Sequence, residues 1–157
     1  MRFLSIAILI VLWADSPALP GDQKPIKPSP RDKCPVCGMF VARYPDFLTQ
    51  ILFTDGSYAF FDGAKDMFKF YLNMKKYHPS RKVSDISVIY VTDYYELTFI
   101  DGFEAFYVAG SDVYGPMGRE LIPFKTEAAA RDFMKDHNGK SILGFKGVTA
   151  QVIKGLD

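Results

Sequence analysis

The order of apolar and polar positions divides the chain into a leader, a spacer and two patterned blocks. Residues 3–13 form an uncharged apolar run behind Arg2, well short of the ~20 residues of a membrane-spanning helix but the right length for the apolar region of an export signal. Small residues at Ser16 and Ala18 put a cleavage point after Ala18, so residues 1–18 are expected to be a signal peptide and the protein to act in the periplasm. Membrane contact is expected only if that segment is retained. Residues 19–33 carry Pro20, Pro25, Pro28 and Pro30 among Lys, Asp and Gly without any period, which predicts an extended, flexible tether.

The patterned sequence fills residues 34–157, expected as one compact protein in two halves, about 34–93 and 94–157. Residues 47–53 are apolar and β-rich, Thr54-Asp55-Gly56-Ser57 is a turn, and Tyr58-Ala59-Phe60-Phe61 resumes the strand pattern; this predicts a β-hairpin. Asp62 reads as the N-cap of an amphipathic helix that carries Met67, Phe68, Tyr71 and Leu72 at spacings of three and four, runs to about Lys76 and is closed by Pro79. Residues 83–93 and 94–100 are again β-rich.

The second half follows the same outline. A strand is predicted at 105–109, a Gly/Pro-rich loop at 110–119 and a strand at 121–124. A helix capped by Thr126 then runs to Asn138-Gly139, and a last strand is predicted at 147–153. Phe61 stands nine residues before Phe70, and Phe124 nine before Phe133. The pattern is therefore that of an α+β protein built from two β-β-α-β units.

Composition adds two constraints. With 14 Phe and 9 Tyr the chain can fill a core. A net charge of +1 with both signs interspersed leaves no basic face for nucleic acid, so none is expected as a partner.

The candidate chemistry is concentrated in Cys34-Pro35-Val36-Cys37-Gly38-Met39, which holds both cysteines and a methionine. Soft thiolate and thioether donors select soft ions such as Cu(I). A closed zinc site wants four Cys or His ligands. Beyond the cysteines the chain has only His78 and His137, each at the end of a predicted helix. Met117, between glycines in the 110–119 loop, is either a free thioether donor or a plug packing on Tyr114. Met67, Met74 and Met134 sit at helical spacing beside aromatics and read as core filler.

Cys-Pro-x-Cys is also the spacing of thiol-disulfide oxidoreductases, and a periplasmic redox enzyme with Cys34 or Cys37 as nucleophile is the alternative reading. In those enzymes the motif follows a strand and opens a helix, whereas here it follows the Pro-rich spacer and has Gly38 where a helix would begin. A third reading is an interaction module in which the two cysteines staple the N-terminal segment. The spacing alone leaves Cys34 open as a ligand, a disulfide partner or neither.

Cys-Pro-Val-Cys-Gly-Met at 34–39 with the following Phe-Val-Ala, Thr-Asp-Gly at 54–56, Phe-Phe-Asp-Gly at 60–63 and Gly-Pro-Met-Gly at 115–118 together resemble the NosL-type accessory proteins of nitrous oxide reductase, over about residues 32–153. The resemblance implies a fold similar to the organomercurial lyase relatives and a periplasmic Cu(I)-binding metallochaperone that is not an enzyme. It implies Cys37, Met39 and Met117 as metal ligands. As partners it implies a copper donor protein and a client cuproprotein such as nitrous oxide reductase. One thiolate and two thioethers would suit Cu(I) and would release it to a client richer in stronger ligands.

Overall fold

The structure is a computed structural model and is described here for residues 23–157; the expected signal peptide and the tether residues 19–22 lie outside the described residues. Strands β1 (Thr49–Phe53) and β2 (Tyr58–Phe61) form the expected hairpin, in register Thr49↔Phe61. Gly56 supplies the positive φ of +82° that its turn needs. β3 (Ile86–Thr92) pairs with the other edge of β1, and β4 (Phe99–Asp101) pairs with β3, giving an antiparallel sheet of order β2-β1-β3-β4. Between β2 and β3 come α1 (Ala64–Leu72) and the single-turn α2 (Met74–Tyr77).

The second sheet, order β6-β5-β7, is made by β5 (Phe106–Gly115), β6 (Gly118–Phe124) and β7 (Ser141–Gly144), with α3 (Glu127–Asp136) between β6 and β7 and the short α4 (Ala150–Lys154) after them. This is the α+β architecture of two β-β-α-β units, the first enlarged by β4.

Alternation along β5 and β6 explains the layering, because successive side chains of a strand face opposite sides of the sheet. Tyr107 and Leu121 face a core shared with α1 and the first sheet, while Val108, Ile122 and Phe124 face a second core closed by α3. Helix α1 thus packs between the two sheets. Its Phe70 meets Phe61 of β2 at 5.2 Å between ring centroids, and its Phe68 meets Tyr107 of β5 at 5.0 Å. The second unit repeats the strand–helix pair: Phe124 and Phe133 lie 4.9 Å apart. Met67 and Met74 are buried, and Met134 packs half-buried against the second core, as filler should.

Several elements differ from the sequence expectation. Residues 23–33 are extended, but they are docked as a strap. Ile26 exchanges two hydrogen bonds with the Gln50 side chain, Gln23 Nε2 donates to the Phe53 carbonyl, and Tyr90 Oη donates to the Gln23 carbonyl. The prolines at 25, 28 and 30 have no N–H to satisfy. The expected loop 110–119 is mostly strand: β5 continues through an irregularity between Ala109 and Tyr114, where Gly110 has φ +78°, and only Pro116-Met117 forms the turn. The last strand falls at 141–144, and 150–154 is helical because Thr149 caps it by accepting from the Val152 N–H. Only residues 99–101 of the β-rich stretch 94–100 and its neighbour Asp101 form strand; the chain turns first, through Leu97 at φ +53°.

Candidate metal centre

The site begins with a tight turn. The Gly38 N–H donates to the Cys34 carbonyl and the Cys34 N–H to the Met39 carbonyl, both at 2.9 Å, and a bridge between Lys33 and Phe40 closes the loop outside them. Gly38 stands at φ +79°, a conformation natural to glycine. The turn leaves backbone N–H groups of Val36 and Cys37 directed at the Cys34 sulfur, and that of Met39 at the Cys37 sulfur.

This turn is laid on the junction between β2 and α1. There the structure departs from the expected cap: Gly63 is the N-cap residue, with no side-chain hydrogen bond to the helix. The Asp62 carboxylate is turned instead to the cysteines. Cys37 Sγ donates to Asp62 Oδ1 at 3.1 Å, and Cys34 Sγ donates to Asp66 Oδ2 at 3.4 Å. Donor atoms of Cys34, Cys37, Asp62 and Asp66 all lie within 4.8 Å of one another, the only such grouping of three or more His, Cys, Asp or Glu among the described residues.

Three of these four residues are buried and Cys37 is half-buried, so Cys37 is the member of the group that solvent reaches. Asp62 Oδ2 is buried and has no hydrogen-bond partner among the described residues, an expensive state for a carboxylate oxygen. Burial pushes both thiols up, Cys37 to about 12 and Cys34 further, with the adjacent carboxylates adding to the backbone-opposed rise. In the metal-free protein both sulfurs therefore carry their protons at neutral pH. A bound cation would replace those protons and give the unpaired oxygen a partner. Two thiols and two carboxylates make a group that could hold a metal ion.

Of the residues singled out in the sequence, Cys34 and Cys37 are brought together. Met39 is half-buried and part of the same turn. Met117 stands at the tip of the β5–β6 hairpin with 44% of its surface exposed, and its carbonyl accepts from Lys65 Nζ at 2.8 Å, tying the tip to the first turn of α1. The plug reading of Met117 does not fit that exposure. His78 and His137 are elsewhere: His78 is 3.1 Å from Ser80, and His137 pairs with Asp112 and stacks on Phe133.

Sequence reasoning missed Asp62 and Asp66 as members of the site. Their signal was present: two aspartates one helical turn apart in a stretch otherwise dominated by aromatics, where a buried carboxylate needs a partner.

The two β-β-α-β units carry the two-cysteine turn on the β2–α1 junction, and the sequence matches the NosL family over residues 25–153. The chain belongs to the NosL family. Its fold is that of the crystal structure of the copper chaperone NosL from Shewanella denitrificans, with a TM-score of 0.68 and 23% identity over 82% of this chain and 97% of that one. The solution structure of the apo-NosL protein from Achromobacter cycloclastes is also similar, at 26% identity and a TM-score of 0.47, covering 67% of this chain and 87% of that one. No curated protein matches the chain.

Proposed function

We propose that the protein is a periplasmic Cu(I)-binding metallochaperone, with copper as cargo, that passes the ion to a client cuproprotein such as nitrous oxide reductase after receiving it from a copper donor protein. The observation that carries the reading is the convergence of Cys34 and Cys37 with two buried carboxylates, one of whose oxygens lacks a partner. Cys37, Met39 and Met117 supply the sulfur ligands. Asp62 orients Cys37 and offsets the charge of the bound ion. Cys34, fully buried against Asp66, backs the site. The copper chaperone NosL of Shewanella denitrificans shares this fold and this family, which supports the copper assignment.

The oxidoreductase alternative is disfavoured by the thiols themselves. A redox nucleophile is a lowered thiolate, commonly at a helix N-terminus, whereas Cys37 is pushed up and is followed by a turn. The site is therefore read as one that carries an ion and turns over no substrate.

Anaerobic titration of the reduced protein with Cu(I) against a competing chelator tests the reading. One tightly held ion per chain, displaced poorly by Zn(II), is the expected result. Zinc binding that resists excess Cu(I), or no Cu(I) uptake, would overturn it.

A further inference from the structure

Met117 is carried on a two-residue turn, and past the irregularity between Ala109 and Tyr114 only the pairs Tyr114↔Arg119 and Gly115↔Gly118 hold its strands together. Such a tip has little of its own to fix its direction. What ties it to α1 is a single residue used twice. The Lys65 N–H donates to Glu120 Oε1 at 2.5 Å, and Lys65 Nζ donates to the Met117 carbonyl at 2.8 Å. Lys65 is almost wholly buried, and its ammonium also lies 3.7 Å from Asp157.

Glu120 is seated with equal care. Oε1 accepts from the Leu121 N–H as well. Its carboxylate fills space left by two glycines: a Cβ on Gly63 would collide with Oε2, and one on Gly115 would come within 2.9 Å of Cγ. Gly63 adjoins Asp62, and Gly115 opens the turn that carries Met117. Lys65 itself precedes Asp66. One buried pair thus spans from the helical turn bearing the site's carboxylates to the hairpin bearing the distant methionine.

We propose that Lys65 and Glu120 are positioning residues that hold the Met117 arm over the two-cysteine turn, so that the third sulfur is already in place when the ion arrives. The proposal rests on the Cu(I) reading above. Preorganisation of this kind raises affinity because the arm is not ordered at the expense of binding, and residues that support metal ligands commonly matter about 10- to 100-fold in metal affinity.

The test has a metal-free arm and a copper arm, both on Lys65→Met, which keeps the stem and the backbone N–H, with Lys65→Arg as the conservative rescue. In the metal-free protein, the backbone amide of Met117 should show an NMR order parameter typical of rigid structure, falling toward that of a flexible loop in Lys65→Met and recovering in Lys65→Arg. With copper, Lys65→Met should bind Cu(I) about 10- to 100-fold more weakly, and X-ray absorption should count two sulfurs where the unmodified protein has three. Adding Met117→Ala to Lys65→Met should cost nothing further, since both remove one arm. Glu120→Leu, which keeps bulk but removes the oxygen that accepts from the Lys65 N–H, should lower the Met117 order parameter and the copper affinity as Lys65→Met does, with the fold checked by circular dichroism. An unchanged order parameter at Met117, unchanged copper affinity in Lys65→Met, or full additivity with Met117→Ala would each overturn the clamp. If the order parameter falls as expected but the unmodified protein takes up no Cu(I), the copper reading is what has failed, and the metal role of the clamp goes with it.

Discussion

Cys37 Sγ and Asp62 Oδ1 lie 3.1 Å apart, a thiol hydrogen-bonded to a carboxylate that stands just before the N-cap residue of α1, Gly63. α1 follows Gly63 without a side-chain cap from its own N-cap residue; the Lys65 N–H of its first turn is taken by Glu120 Oε1 instead, and the Asp62 carboxylate is committed to sulfur. Asp62→Asn should therefore leave the fold intact by circular dichroism. It should weaken Cu(I) binding by about tenfold or more in chelator competition. Undiminished affinity would remove Asp62 from the support of the site.

The same thiol sets a pH dependence. Burial holds Cys37 up to about 12, so it is protonated throughout the neutral range and the incoming ion must expel that proton. Cu(I) affinity should then rise about tenfold for each pH unit between pH 6 and 8. The slope, measured by competition with a chelator of known pH behaviour, counts protons released. A slope of two protons would bring Cys34 into the metal shell as a second thiolate.

Two methionines should respond in opposite ways. Met117, exposed at the hairpin tip, has little packing to lose, so Met117→Ala should leave the melting temperature nearly unchanged and weaken Cu(I) binding strongly. Met67 is fully buried in the shared core, so Met67→Ala should cost about 2 to 5 kcal/mol of stability in denaturant unfolding and spare the metal. A lowered melting temperature with unchanged copper affinity in Met117→Ala would make Met117 a packing residue.

Glu120 predicts the stability of the metal-free protein against pH. Burial raises its carboxyl from an ordinary 4.5 to about 8, so between those values the folded state holds a proton that the unfolded chain has released. Unfolding then releases that proton, and stability must fall as pH rises through this window, by up to about 1.4 kcal/mol per unit. Glu120→Gln should flatten that part of the curve. A profile identical to the unmodified protein would show that Glu120 is ionised throughout.

The fold was legible where packing agreed with local pattern. The nine-residue intervals Phe61 to Phe70 and Phe124 to Phe133 became two strand–helix ring contacts of 5.2 and 4.9 Å, and the Asp55-Gly56 turn became the β1–β2 hairpin. It was less legible where glycine and proline signalled loop. Gly110, Gly115 and Gly118 lie in or at the ends of long strands, used for a positive φ at 110 and 118 and for room beside Glu120 at 115. Ser141-Ile142-Leu143-Gly144 is too short to show a period, and β7 is fixed by pairing with β5. At the site, the two cysteines and Met39 could be read from spacing because one turn holds them. Asp62 could not: beside an amphipathic helix it reads as a cap, whereas the helix starts one residue later with Gly63 as N-cap, and the partner of its carboxylate, Cys37, comes from 25 residues away in the chain.

The strap of residues 23–33 gives the metal turn a heading. It is fastened near Phe53, at one end of β1, and runs past Gln50 to deliver Cys34 near Asp62, beyond the other end, where Thr49 Oγ1 meets the Gly63 carbonyl. The separation along the strand is on the order of 13 Å. Gln23 is thus held at the opposite end of β1 from the sulfur cluster.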